Sequence, residues 1–325
     1  MEKTGPNLTQ DTIPALSITR NETRPQRGLF LPPGWEWASC YSVGRLRHSA
    51  LCLAILFRLP LLSAESAREL YQKTEYRAAL ESLRPAQSAD PSVWHLAGRA
   101  YFQLGEYTKA QEWFEKAAQA EPSKSEHRHW LGKTLGRRAE NASFVTAPKY
   151  AVECRKAFEK AVEIDPKNIE AWSDLLEYYL SAPGFLGGGY DKAASAATRM
   201  GQLDPVEKHF AQAKLAEKKE DWAAAERHWR AAAELAPRNA GRWIDLAKFL
   251  AGRGRHPESE QAFEKAAEAE PAALPKTWFA RAETSIEHKR NLPQAREWLN
   301  RYLAARVTPD DPSKDDARRL LKKIS

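Results

Sequence analysis

An all-α solenoid of stacked helical hairpins is the fold class this sequence predicts, and three observations carry the prediction. Short pairs ending in proline recur at 90–91, 121–122, 165–166, 204–205, 236–237 and 270–271, so that the prolines stand 31, 44, 39, 32 and 34 residues apart. Between successive prolines lie two amphipathic stretches whose apolar residues return at the three-and-four spacing of a helix. The glycine-richest stretch, APGFLGGGYDKA at 182–193, falls between two such stretches and reads as a turn. A chain of 325 residues would otherwise suggest two domains. A fixed internal period overrides that expectation, because a lone hairpin cannot bury both of its faces and stacked neighbours can.

Taken in order, residues 1–42 hold scattered Pro, Asn and Thr without a sustained apolar period, the composition of a disordered extension or of a translation start assigned too early. Residues 43–64, VGRLRHSALCLAILFRLPLLSA, open with Arg45 and Arg47, run apolar from Ala50 to Phe57 and end in Ser63-Ala64. That is the layout of a signal peptide, with a retained N-terminal anchor as the alternative. The expected location is therefore exported, periplasmic or secreted, or else anchored in an inner membrane. Cleavage after Ala64 would leave Cys154 as the single cysteine and rule out an internal disulfide.

From residue 65 to 311 the hairpins follow. In residues 91–122 the first helix presents Trp94, Ala97, Gly98 and Tyr101, and the second presents Tyr107, Ala110, Phe114 and Ala117. The small residues let the two backbones approach while the aromatic rings fill the space, and Pro122 ends the second helix. Leu131, Gly132, Leu135, Phe158, Ala161 and Pro166 form the next set, then Trp172, Leu175, Tyr179, Ala193 and Pro205. Ala213, Ala225, Trp229, Ala232 and Pro237 form a fourth, and Trp243, Leu246, Ala247, Phe263, Ala266 and Pro271 a fifth. Degenerate units flank these, and residues 312–325 read as a C-terminal capping helix.

These units resemble the tetratricopeptide repeat, with its Trp, Leu-Gly, Tyr, Ala, Phe, Ala, Pro pattern over 34 residues. The resemblance covers about six to seven repeats and implies a right-handed superhelix whose concave groove is lined by the first helix of each pair. Two neighbouring units exceed the repeat length, with insertions near 138–150 and 181–191. Those turns also look like turns in exported bacterial tetratricopeptide proteins of no established activity.

The glycine stretch fails the test of a phosphate-binding loop. Lys192 is separated from Gly189 by two residues, Ala193 stands where a hydroxyl is needed, and helical rather than strand residues precede it. Its reading as a helix-to-helix turn stands beside a second, in which both insertions form a lobe that grips a partner through Phe144, Pro148, Phe185 and Tyr190.

Catalytic motifs are missing. No His-Glu-x-x-His, Cys-x-x-Cys or Gly-x-Ser-x-Gly occurs, and His127 and His129 point to different faces of one helix. The chain is expected to be no enzyme, to hold no metal and to need no cofactor. The whole chain carries a formal charge of +7, and residues 65–325 hold 43 basic against 39 acidic side chains. So mild a balance, with Lys and Arg interleaved with Glu, opposes nucleic-acid binding.

By the resemblance, side chains facing the groove are His95, Arg99, His129, Lys133, Arg137, Asp174 and Glu177. The best-studied grooves of this kind clamp a C-terminal carboxylate with lysines and asparagines, and Arg99 and Lys133 here replace the asparagines. The expected function is a non-catalytic scaffold that holds a protein or peptide partner, an acidic one by the charge of the groove, within the bacterial cell envelope. A nucleic-acid-binding repeat, or an accessory subunit of an envelope enzyme or polysaccharide assembly, is the alternative.

Overall fold

The computed structural model describes residues 65–324, so the predicted extension at 1–42 and the signal or anchor segment at 43–64 lie outside the described residues. Among the described residues there are fifteen α-helices and no strand. They form seven consecutive pairs: α1 (65–72) with α2 (Tyr76–Leu83), α3 (Pro91–Gln103) with α4 (Tyr107–Ala120), and α5 (Ser125–Glu140) with α6 (Ala147–Ile164). The series continues with α7 (Ile169–Ser181) and α8 (Tyr190–Leu203), α9 (Pro205–Lys218) and α10 (Trp222–Leu235), α11 (Ala240–Gly252) and α12 (His256–Ala269), and α13 (Leu274–Glu287) and α14 (Leu292–Ala304). A last helix, α15 (Lys314–Lys323), follows. Each helix packs on the next in sequence, and the first helices of successive pairs also meet, as α3 with α5, α7 with α9 and α11 with α13. Hairpins stacked in chain order make the molecule an all-α solenoid.

The proline pairs act in two ways. At 90–91 and 204–205 the aspartate side chain caps the following helix and the proline is its first residue, where the missing N–H costs nothing. After Pro166 and Pro237 the chain turns first, and Asn168 or Asn239 caps the next helix instead. Indole N–H groups tie three of these openings together: Trp94 donates to the Pro85 and Ser88 carbonyls, Trp172 to Pro166 at 3.0 Å and Trp243 to Pro237 at 3.1 Å. These tryptophans are structural, as the sequence suggests.

A small residue on the first helix and a large ring on the second recur sixteen residues apart: Gly98 and Phe114, Ala213 and Trp229, Ala247 and Phe263, Ala282 and Trp298. All eight are buried. In the α5–α6 pair the spacing grows to 26, from Gly132 to Phe158, because ten residues are inserted in the turn. In α7–α8 the sizes exchange, with Leu176 on the first helix and Ala197 on the second, and both remain buried. One continuous apolar cluster thereby runs from α4 to α13.

Seven residues beyond each of these small residues, the uninserted turns carry a left-handed residue: Thr74, Gly105, Glu220, Gly254 and Lys289, with φ between 53° and 74°. The next amide closes back onto the first helix, as Glu106 N does on the Tyr101 carbonyl and Asp221 N on Ala216.

Candidate functional site

One position on the first helices organises the charge of the concave side. The residue after each buried first-helix residue at this position (Ala67, Gly98, Gly132, Leu176, Ala213, Ala247 and Ala282) reads Arg68, Arg99, Lys133, Glu177, Lys214, Lys248 and Glu283 along the chain. Lys214 pairs with Glu177 at 2.8 Å and Lys248 with Glu283 at 2.8 Å, so the last four members neutralise one another across neighbouring hairpins. Arg99 and Lys133 have no such ladder partner. They flank one ring instead: the Arg99 guanidinium lies 4.7 Å from the Trp130 ring centroid and the Lys133 ammonium 4.6 Å. On its other side Arg99 meets the Tyr71 ring at 5.1 Å. Contact with two rings restrains the guanidinium by cation–π attraction. Its Nε is buried without a hydrogen-bond partner, and among the described residues the one carboxylate paired with it is Asp310, at 3.9 Å.

Arg99, Lys133 and Arg137 open onto a cavity of about 1090 Å³ that is also walled by residues of α7, α9, α11 and α13. Its remaining wall is the C-terminal segment from Pro309 to Arg319. The chain returns there across a long sequence distance, with Gln103 Nε2 donating to the Pro309 carbonyl at 2.7 Å. Beyond the segment lies a second cavity of about 910 Å³, lined in part by Arg242, Lys248, Lys276 and Lys323. Helix α15 packs on α14 and α13, burying Ala317, and a reciprocal capping box between Ser313 and Asp316 starts it.

Of the residues the sequence places in the groove, Arg99, His129, Lys133, Arg137 and Asp174 line the cavity, and Arg137 is paired with Glu140 at 2.8 Å. His95 and His129 are largely buried, and His95 is not part of this lining. His129 Nε2 meets Asp174 at 2.7 Å, and Glu177 is the Lys214 partner already described. His95 belongs to a four-membered chain: its Nε2 lies 3.0 Å from Glu126, its Nδ1 lies 2.9 Å from His127 Nδ1, and His127 Nε2 lies 2.9 Å from Glu121. Each Nε2 faces a carboxylate, and which Nδ1 carries the proton between the rings depends on the tautomer. Burial first, and then the His127 and Arg99 charges, push His95 down against the opposing pull of Glu126. The hydrogen bond from His95 in turn holds Glu126 at about 2. A similar Nδ1–Nδ1 contact of 2.9 Å joins His209 and His228.

The two insertions differ from the lobe reading in part. Phe144 is 89% exposed and Phe185 83% exposed. Pro148 sits half-buried in the first turn of α6, and Tyr190 opens α8, half-buried against the main core with Lys219 over its ring. In the glycine turn the amides of Gly187, Gly188 and Gly189 are spent on the Gly184, Pro183 and Tyr179 carbonyls, and Lys192 donates to the Gly187 carbonyl at 2.9 Å. No nest of free N–H groups is left for a phosphate. Gly188 is required by proximity, since a Cβ there would stand 1.8 Å from the Ala182 carbonyl oxygen. Cys154 is buried, and burial pushes its thiol up to about 12, which removes it as a nucleophile at neutral pH.

Arg68, Lys214, Lys248 and Glu283 were missed by sequence reasoning. The signal was present, as the residue following each buried first-helix residue of that set, but a charge at one position gains meaning only when read down the whole stack.

The fold and its groove define the class, a non-globular stack of helical hairpins built around an internal channel. Residues 91–124 and 210–273 each match the tetratricopeptide repeat family, and the chain is a tetratricopeptide repeat protein. A tetratricopeptide repeat protein from Parabacteroides merdae is similar in structure, with a TM-score of 0.53 and 13% identity over 82% of this chain and 99% of that one. A thermophilic tetratricopeptide protein of Thermus thermophilus has a TM-score of 0.48 and 19% identity over 59% of this chain and 98% of that one. A tetratricopeptide repeat-containing protein of Cytophaga hutchinsonii has a TM-score of 0.42 and 16% identity, covering 78% and 98%. No curated protein matches this chain in sequence.

Proposed function

We propose that the chain is a non-catalytic scaffold whose channel holds an extended acidic segment of a protein partner, with Arg99 as the carboxylate anchor and Lys133 as its neighbour. The carrying observation is the Arg99 guanidinium, fixed between the Tyr71 and Trp130 rings, with a partnerless Nε and one distant carboxylate. A fixed guanidinium meeting a carboxylate edge-on forms charge-assisted bonds about twice as strong as neutral ones. The tetratricopeptide fold supports a scaffold role, and at the ladder position the Lys–Glu pairs at 177 to 283 leave Arg99 and Lys133 as the cations without a ladder acid on the cavity wall. The setting we propose is the bacterial cell envelope, on the layout of residues 43–64. Among the described residues no helix is long and apolar enough to cross a membrane.

The test is fluorescence anisotropy with labelled nine-residue peptides, one set rich in Asp and Glu and a matched set with Asn and Gln. Acidic peptides should bind, weaken as salt is raised, and lose at least about tenfold in affinity with Arg99→Glu, a contrast expected of a charge-assisted anchor. Equal binding of both sets, or indifference to that substitution, would remove the anchor.

A further inference from the structure

The channel is not empty of carboxylates, because the chain supplies its own. Thr308–Pro309–Asp310–Asp311–Pro312–Ser313–Lys314–Asp315–Asp316 carries four aspartates against one lysine and walls the same cavity that Arg99 and Lys133 face. Pro309 is buried, and its carbonyl accepts the Gln103 amide at 2.7 Å. Asp310 reaches toward Arg99 with its side chain 88% exposed, the geometry of a weak, water-screened pair. Downstream, the segment is preshaped by bonds within itself: Asp311 accepts from the Thr308 amide at 2.7 Å and hydroxyl at 2.9 Å, and Ser313 and Asp316 cap α15.

We propose that residues 308–311 are a tethered self-ligand of the Arg99 site, and that an acidic partner binds by displacing them. This rests on the reading of the channel given above. Three features make the segment a tenant rather than a wall. Its chemistry is the one a fixed guanidinium selects. Its direct ties to α3 are a single neutral hydrogen bond and one long ion pair. Its attachment to the rest of the molecule lies elsewhere, through buried Val307 and through the Tyr302 hydroxyl donating to the Pro312 carbonyl, so release from α3 leaves α15 seated. Tethering keeps such a segment at a high effective concentration, and weak contacts then suffice to compete with a free peptide. Any partner must offer Arg99 a better-placed carboxylate than Asp310 does.

The experiment uses the full chain and, as probe, a fluorescein-labelled synthetic peptide of residues 307–316. Wild type, Asp310→Asn, and the pair Asp310→Asn with Asp311→Asn are compared by anisotropy. Hydrogen exchange over 308–313 is followed with no peptide present. Removing the exposed ion pair and the Asp311 bonds that preshape the tethered copy, while the probe keeps both aspartates, is expected to tighten probe binding by about five- to tenfold and to speed exchange over 308–313. Arg99→Gln should abolish binding in every background. The single Asp310→Asn change touches an exposed side chain, so its smaller effect in the same direction is free of any folding defect. Arg99-dependent binding that is equal in wild type and variants would overturn the self-ligand alone, as would unchanged exchange over 308–313. Binding that is absent or independent of Arg99 throughout would overturn the channel reading, and this inference with it.

Discussion

Two glycines one turn apart on α5 should answer oppositely to the same change. Alanine in place of a helix-interior glycine gains about 1 kcal/mol from backbone entropy. At Gly136 the added Cβ would meet its nearest neighbour, Cys154 Sγ, at 3.6 Å, an ordinary contact, so Gly136→Ala should keep that gain. At Gly132 the Cβ would stand 2.5 Å from two atoms of the Phe158 ring. Carbon atoms prefer about 3.5–4.0 Å, so the overlap exceeds about 1 Å. Phe158 is buried and faces the His129 ring at 5.8 Å, which leaves it little room to retreat. Overpacking of this kind costs about 1–3 kcal/mol, and with an enclosed ring the upper part of that range applies. The expected net is a loss of about 2 kcal/mol for Gly132→Ala, set against a gain of about 1 kcal/mol for Gly136→Ala. Urea unfolding measures both, and hydrogen exchange over α5 and α6 localises the effect, since a repeat stack need not unfold in one step. A Gly132→Ala protein as stable as wild type would refute the close-approach argument; restoration by Phe158→Leu in the same chain would support it.

Acid should loosen the junction of α3 and α5. Burial lowers His95 from 6.5, and its hydrogen bond lowers Glu126 from 4.5 to about 2, so in both cases the unfolded chain binds more protons than the folded one. Stability of this junction is then fully present above about pH 6.5, falls as pH drops through that value, and falls again below about 4.5; protection factors in α3 and α5, corrected for the pH dependence of intrinsic exchange, that stay level from pH 7 to 4 would contradict this. Glu220→Gly and Lys289→Gly should each stabilise by up to about 1 kcal/mol, because both residues hold φ above 50° where a side chain costs about 1–2 kcal/mol, and urea midpoints read the gain.

The stack was legible because its rules are local. A proline every thirty-odd residues, a small residue on one helix and a ring sixteen residues later can all be read within one repeat. Even the ten-residue insertion leaves its trace, in the shift from sixteen to 26 between Gly132 and Phe158. The groove was legible only in part. The family resemblance placed His95 and His129 on the inner side, yet the face of a first helix that looks inward adjoins the face that meets the next first helix. The two histidines fall on the latter, where Glu126, His127 and Asp174 receive them. The return of Pro309 to Gln103 has no local signature at all. It depends on how small rotations between hairpins add up over the whole stack, a sum that no single repeat encodes.

That same summation explains why the unspent charge lies where it does. A lysine and a glutamate at equivalent positions of adjacent hairpins come within reach of each other because the stack brings every such position alongside the next. Glu177 with Lys214, and Lys248 with Glu283, close in this way and leave nothing for a ligand. Arg99 and Lys133 are adjacent members of like sign, so the same proximity sets them in repulsion, and the Trp130 ring between them relieves it by offering each cation an electron-rich contact. Two cations held close without a ladder acid favour an anion between them. The carboxylate that ion-pairs with Arg99, Asp310, belongs to the part of the described chain that returns to the N-terminal hairpins from the far end of the sequence. Replacing Lys133 with Glu would complete a third ladder pair with Arg99. On this argument it should stabilise the N-terminal hairpins while weakening every acidic ligand of the channel, including the chain's own.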